Sequence, residues 1–354
     1  MPEPMYVPVL KGRQGELAAL GRIQLATKNT ILPVLEIAPP EDPDEPVAVT
    51  GILERTVKKV KDSWAGGELI LDAGFVRSSV RLAGGQGVIT YVIAKARSQG
   101  IGAIPVVRLS DQDDVRADVR AIHDEYRCGV AVRLSIEDMD EDPEDVDESL
   151  EKLLSDLNVR QAEADLILDL AVVNGDLAVR AGARMVLDVL RGLSDVDSWR
   201  RVIVTSGSFP VDLSVVAPWV FSEFQRYDAA LWDAVRGRRR LPRIPLYGDY
   251  AITYPLWTSG PPFAPAPQLR YTLADRWLVL KGRKNDPRGN EQFYDVCERI
   301  AGHPEFAGAA LGYADARIAD PRAQGPGNGA TWREIGTAHH LDLVARRITT
   351  LDEP

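Results

Sequence analysis

Eight residues of this chain stand where short apolar runs stop, and their types suggest acid–base or anion-binding chemistry. They are Lys11, Glu36, Asp72, Arg108, Arg133, Asp169, Ser206 and Asp249. Carboxylates and guanidinium groups held close together shift one another's protonation and can grip an anion between them. Any two of Glu36, Asp72, Asp169 and Asp249 could act as general acid and base, or hold a divalent metal such as Mg through oxygen ligands. The stretch Thr205-Ser206-Gly207-Ser208 adds small residues whose backbone N–H groups could cradle a phosphate. Each residue also has a plainer reading, because a polar side chain suits any strand end that meets water. Eight polar ends out of eight favour a site over coincidence. Asp169, flanked by Leu168 and Leu170, costs several kcal/mol if ionised without a partner, so a cation such as Arg133 is expected beside it. Spacing alone does not say which carboxylates pair.

A second group lies near the end of the chain. Trp332 and His339 are seven residues apart on a helical pattern, which sets them on one face, and His340 follows. His339 and His340 could bind a ligand or exchange protons there, or be packed as ordinary core histidines. Lys281, Arg283 and Lys284 follow a hairpin-like pair and could line the same mouth. No histidine stands at a strand end, which weakens a zinc-hydrolase reading. Ser206 lacks a GxSxG elbow, which weakens a serine nucleophile. The two cysteines, Cys128 and Cys297, have no CxxC spacing, so neither a zinc ribbon nor a disulfide framework is expected.

The elements that would hold these residues recur as apolar run, then helix. The runs are Tyr6–Leu10, Ile31–Leu35, Leu69–Leu71, Ile104–Val107, Val130–Val132, Leu166–Leu168, Val202–Val204 and Ile244–Tyr247. They are continuous rather than alternating, as strands buried on both faces are. Helical periodicity covers Ile52–Trp64, Val88–Ser98, Val115–Tyr126, Val146–Leu157 and Leu177–Leu193. Alternating strands and helices imply a parallel sheet, and eight units predict a (β/α)8 barrel over 1–254, with active groups at the C-terminal strand ends. A doubly wound open sheet is the alternative, but no GxGxxG follows the first strand. Residues 255–354 are expected to form an α+β extension on or near the mouth: a Pro-rich loop (Pro255–Pro267), strands at Leu269–Thr272 and Trp277–Leu280, and helices at Glu291–Ile300 and Thr331–Ile348. The match of Leu69–Asp72 to Leu166–Asp169, with Glu36 and Arg133 at the same 97-residue offset, hints at half-barrel duplication, although strand composition explains it as well.

Composition limits the partners. A net charge of −10 argues against coating nucleic acid non-specifically, though not against a small basic cleft. The acidic run Glu137–Glu151 lacks the glycine and ligand spacing of a calcium loop and reads as a solvated face. The basic run Arg236–Arg240 precedes the eighth strand, on the face away from the site. No apolar run spans a bilayer and the opening residues lack a secretory pattern, so no membrane partner and a cytoplasmic location are expected.

Several segments resemble a known family. Tyr6-Val7-Pro8-Val9-Leu10-Lys11-Gly12-Arg13, Leu32-Pro33-Val34-Leu35-Glu36, Tyr247-Gly248-Asp249-Tyr250 and Trp332-Arg333-Glu334-Ile335-Gly336-Thr337-Ala338-His339-His340 are similar to the "beta protein" family, named for a protein of a T-even bacteriophage. That resemblance implies a link to phages and antiviral defence, not a reaction, and it singles out Lys11, Glu36, Asp249, Trp332 and His340. Two expectations follow. One is a hydrolase acting on a phosphate-bearing ligand, a nucleotide or nucleic-acid-derived. The other is a non-catalytic binding or assembly component with a protein partner.

Overall fold

The computed structural model describes residues 5–352 except 41, 43–44, 77, 83 and 259–264. Eleven strands are described: β1 (Tyr6–Leu10), β2 (Val34–Glu36), β3 (Glu68–Asp72), β4 (Gly102–Val107), β5 (Val130–Leu134), β6 (Ala164–Val172), β7 (Arg201–Gly207), β8 (Ser222–Gln225), β9 (Leu246–Asp249), β10 (Gln268–Thr272) and β11 (Arg276–Lys281). The helices are α1 (Gln14–Arg22), α2 (Leu25–Thr30), α3 (Pro46–Ser63), α4 (Val88–Ser98), α5 (Asp113–Tyr126), α6 (Ile136–Met139), α7 (Pro143–Leu157), α8 (Asp176–Gly192), α9 (Tyr227–Arg236), α10 (Gln292–Ala301), α11 (Tyr313–Ala319) and α12 (Gly329–Asp352).

Strands β1 to β7 and β9 close a parallel barrel, with β9 bonded to both β7 and β1. The chain is therefore a (β/α)8 barrel. Each strand feeds one alternating set of residues inward. Val7, Val9, Val34, Ile70, Ile104, Val106, Ala131, Ile167 and Ile203 pack together as the barrel interior. The other set, such as Tyr6, Leu35, Leu71, Val132, Leu168 and Val204, packs on the helices. Helix ends follow local chemistry. Pro46 and Pro143 occupy the first turns of α3 and α7, whose caps Glu45 and Asp142 accept from the N–H groups of Val47 and Glu144. The α8 stripe Val179, Ala183, Val186, Leu187 and Leu190 follows the 3.6-residue period and is buried.

Below the apolar interior an ion cluster closes the N-terminal end. Asp165 pairs with Arg200 at 2.7 Å and with Arg201 at 3.2 Å, and Arg201 also reaches Glu68 at 3.2 Å.

The segment after β9 does two things. Strands β10 and β11 form an antiparallel sheet with β8, which is inserted after β7. Phe209 and Ile252, just past β7 and β9, pack into that sheet with Trp277 and Val279, so it stands beside the mouth. Helix α12 instead runs along the outside of the barrel against α1, where a helix following the last strand belongs. The expected Pro-rich loop includes residues 259–264, outside the described residues, as are Met1–Pro4. The half-barrel duplication does not fit the strand order. An offset of 97 residues carries β2 to β5 and β3 to β6, a step of three strands, whereas half of an eight-stranded barrel is four. Among the described residues no helix is long and apolar enough to cross a membrane.

Candidate functional site at the barrel mouth

Strand parity decides which strand-end residues meet. A side chain two residues beyond an inward one also points inward. Lys11 follows Val9, Glu36 follows Val34, Asp72 follows Ile70, Arg108 follows Val106, Arg133 follows Ala131, and Asp169 follows Ile167. These six gather above the apolar interior.

Arg133 is the centre of the gathering. Its guanidinium donates to Glu36 Oε1 at 2.9 Å, to Asp169 Oδ2 at 2.6 and 3.0 Å, and to Asp72 Oδ2. Arg108 donates to the same Asp72 oxygen at 2.5 Å. The remaining carboxylate oxygens are met by backbone, Asp72 Oδ1 by the Gly74 N–H at 2.8 Å and Asp169 Oδ1 by the Ala171 N–H at 2.9 Å. Lys11 Nζ lies 3.6 Å from Glu36 Oε2, an oxygen with no hydrogen-bond partner. Three cations thus face three carboxylates. Burial opposes ionisation of Asp72, but Arg108 and Arg133 outweigh it and hold its carboxyl well below the usual range. Burial pushes the Glu36 carboxyl up against the pull of Arg133 and Lys11, and pushes the Lys11 ammonium down despite Glu36.

The segment after β9 folds over this layer. Tyr250 donates its hydroxyl to Asp169 at 2.7 Å and accepts from Arg133. Lys11 Nζ donates to the Pro255 carbonyl at 2.5 Å, and the Trp257 ring lies 4.5 Å from that ammonium. The close fit depends on Gly207. A Cβ there would meet Pro255 Cγ at 2.6 Å. Water reaches the layer mainly beside Arg108, whose side chain is 21% exposed against 6% for Arg133 and 0% for Asp72. Arg108 lines a cavity of about 370 Å³ with Gly74, Phe75, Ser78, Ser79 and Asp111, between the loops that follow β3 and β4.

Asp249 and Ser206 do not join the mouth. They are register partners on β9 and β7, out of phase with the inward Leu246 and Ile203, so both point to the helix layer. The expected rim positions of these two residues are corrected accordingly. The inward residues are Thr205 and Tyr250. Gly248 lies between Thr205 and Val7 so closely that a Cβ would sit 2.9 Å from Thr205 Cβ.

Asp249 instead centres a second, sealed network outside the barrel wall. It accepts from Tyr6 at 2.7 Å and Arg226 at 3.2 Å, and the Tyr247 hydroxyl and His340 Nε2 each lie 2.9 Å away. Arg226 also pairs with Asp228, which accepts from Tyr247 and from Ser208 at 2.7 Å each. Burial pushes the His340 imidazole down, toward the neutral form. A neutral ring donating from Nε2 to Asp249 leaves Nδ1 to accept from Thr272 Oγ1 at 2.9 Å. His339 lies against Asp315 at 2.9 Å, stacked on Tyr271. Trp332 stacks on Phe293 and donates to the Pro326 carbonyl. Trp332, His339, His340 and Ser208 are thus buried away from the mouth and away from water. Lys281 donates to the Leu213 carbonyl at 2.7 Å and faces a different cavity. Sequence reasoning missed Tyr250, Trp257 and Arg226. Tyr250 was within reach, since counting parity along β9 from Leu246 ends on it.

Among the described residues no group of three or more His, Cys, Asp and Glu has a metal-holding arrangement. Each mouth carboxylate is engaged by a guanidinium, and Glu36 Oε2 is the mouth carboxylate oxygen left without a hydrogen-bond partner.

The fold and site define a (β/α)8 barrel with a charge-balanced ion network at its C-terminal strand ends. The chain belongs to the Beta protein family, whose model matches residues 6–346. Among solved structures it is similar to a type I 3-dehydroquinate dehydratase from Clostridium difficile carrying covalently modified comenic acid. The identity is 15%, over 57% of this chain and 74% of that one, with a TM-score of 0.34, and that likeness adds nothing to the functional reading. A search of curated proteins returns no match.

Proposed function

We propose that the barrel mouth binds an anionic, phosphate-bearing ligand, a nucleotide or a nucleic-acid-derived group, in the setting of phage–host conflict that the family resemblance suggests. The observation that supports this reading is the position of Arg108. It is the one cation of the mouth layer with a water-facing edge, it lines a cavity of about 370 Å³, and Asp72 holds it in place. A planar guanidinium fixed at one edge leaves its other N–H groups for bidentate contact with phosphate. Binding is favoured over turnover because Glu36 and Asp72 are committed to guanidinium groups inside the layer. If the ligand is also hydrolysed, Asp169 is the carboxylate with some exposure, 10%, and a hydroxyl neighbour in Tyr250.

Thermal melting with inorganic phosphate and the nucleoside monophosphates tests this. A ligand at 100 times its Kd stabilises by about 2.7 kcal/mol. We expect at least one to raise the Tm of the wild-type chain and not that of Arg108→Gln. An unchanged Tm with every compound would overturn the reading.

A further inference from the structure

A second cavity lies about the sheet beside the mouth, and the mouth layer does not use it. It measures about 640 Å³ and is bounded by the 211–218 segment after β7 and by β10, β11 and the start of α12. Its charge is one-sided. Arg270, Lys281, Lys284 and Arg333 line it, and Asp212 is the lone lining carboxylate. The first two and Arg333 come from three different elements, so their convergence reflects the tertiary fold and not a local run of basic sequence.

Three of these cations are held by neutral oxygens. Arg270 donates to the Ile252 carbonyl at 2.7 Å and lies over the Phe209 ring at 4.5 Å. Arg333 reaches Thr253 Oγ1 at 3.4 Å, and Lys281 donates to the Leu213 carbonyl. Among the described residues no carboxylate is ion-paired with any of the three. Glu16, the nearest acid to the arginines, is already engaged by the N–H groups of Lys11 and Arg13 and by the Thr253 hydroxyl at 2.9 Å. Burial, with Arg333 and Arg13 nearby, pushes the Arg270 guanidinium well down, so its charge is held against repulsion. The mouth shows the opposite arrangement, with three cations against three carboxylates.

We infer that the cavity lined by Arg270, Lys281 and Arg333 is a second site, taking a polyphosphate chain such as that of a nucleoside di- or triphosphate. Cations gathered from three elements around a single lining carboxylate repel one another, an anion between them relieves that repulsion, and guanidinium groups suit phosphate oxygens. A single phosphate fills only part of a cavity of about 640 Å³, whereas a chain of two or three phosphates spans more of it. The volume lies in the range typical of small-ligand sites.

Calorimetric titration of the full chain with inorganic tripolyphosphate, pyrophosphate and phosphate at two salt concentrations tests the assignment. Tripolyphosphate is expected to bind tightest, with affinity falling as salt rises. Arg333→Gln and Lys281→Gln should each weaken it about tenfold or more, while circular dichroism shows both variants folded. Arg108→Gln should leave the component that depends on Arg333 and Lys281 in place, which separates this site from the mouth. Absence of tripolyphosphate binding at millimolar concentration would overturn the inference. So would binding indifferent to both Arg333→Gln and Lys281→Gln, or binding lost only in Arg108→Gln.

Discussion

Two buried networks of similar composition meet at adjacent residues of this chain, one around Arg133 that includes Tyr250 and one around Asp249. Each joins an arginine, aspartates and tyrosine hydroxyls, and each is nearly removed from water. The Arg133 network lies inside the barrel, above the apolar interior, and reaches a cavity through Arg108. The Asp249 network lies between the barrel wall and α12, sealed by Tyr6, Tyr247 and His340. Buried titratable groups therefore do not by themselves mark a site. The parity of one strand residue determines whether a carboxylate faces the barrel mouth or fastens a helix.

The sharpest way to break this comparison is to remove each centre. Arg133→Met leaves Glu36, Asp72 and Asp169 buried around a missing cation and should cost about 3–5 kcal/mol in urea unfolding. Asp249→Ala should cost less, about 2–3 kcal/mol, because Arg226 keeps Asp228 and the Tyr247 hydroxyl as partners. A larger loss for Asp249→Ala would invert the ranking.

Acid titration separates the two regions next. The folded value of His340 is lowered, so the unfolded state binds the proton more readily. Stability from this group is full above the unfolded histidine value of about 6.5 and is lost as pH falls below it, by about 1.4 kcal/mol per unit at most. His340→Gln should remove that component from a Tm profile between pH 5 and 8. The folded value of Asp72 is lowered too, so its contribution persists above the unfolded carboxylate value of about 4 and is lost only as pH falls below that. A wild-type profile flat from pH 8 to 5 would contradict the sealed, neutral His340.

The smallest expected effect is at Ser206, which points away from the mouth. Ser206→Ala should change stability by no more than about 1 kcal/mol and leave ligand-induced shifts intact.

The barrel was readable because strands buried on both faces write continuous apolar runs, and all eight runs correspond to barrel strands. Six strand ends were readable for the same reason. Asp249 and Ser206 were misplaced because a continuous apolar run hides the two-residue alternation that would have shown which side each faced. The Arg133 partnership with Asp169 followed from the cost of burying an aspartate between leucines, and the structure pairs them. Strand β8 and the role of Arg226 left little trace in the sequence. Ser222–Gln225 is half-exposed and polar, and it becomes a strand by pairing with β11. The seat of α12 against α1 and α2 likewise depends on contacts between residues more than three hundred positions apart, such as Gln24 at the start of α2 with Asp342.

The most direct measurement is calorimetric titration of AMP, as a representative nucleoside monophosphate, into the wild-type chain, Arg108→Gln and Asp249→Asn. If the mouth is the binding site, Arg108→Gln weakens binding tenfold or more and Asp249→Asn matches the wild type once folded. Equal binding by Arg108→Gln and the wild type, or loss confined to Asp249→Asn, would contradict a ligand site centred on the Arg133 layer.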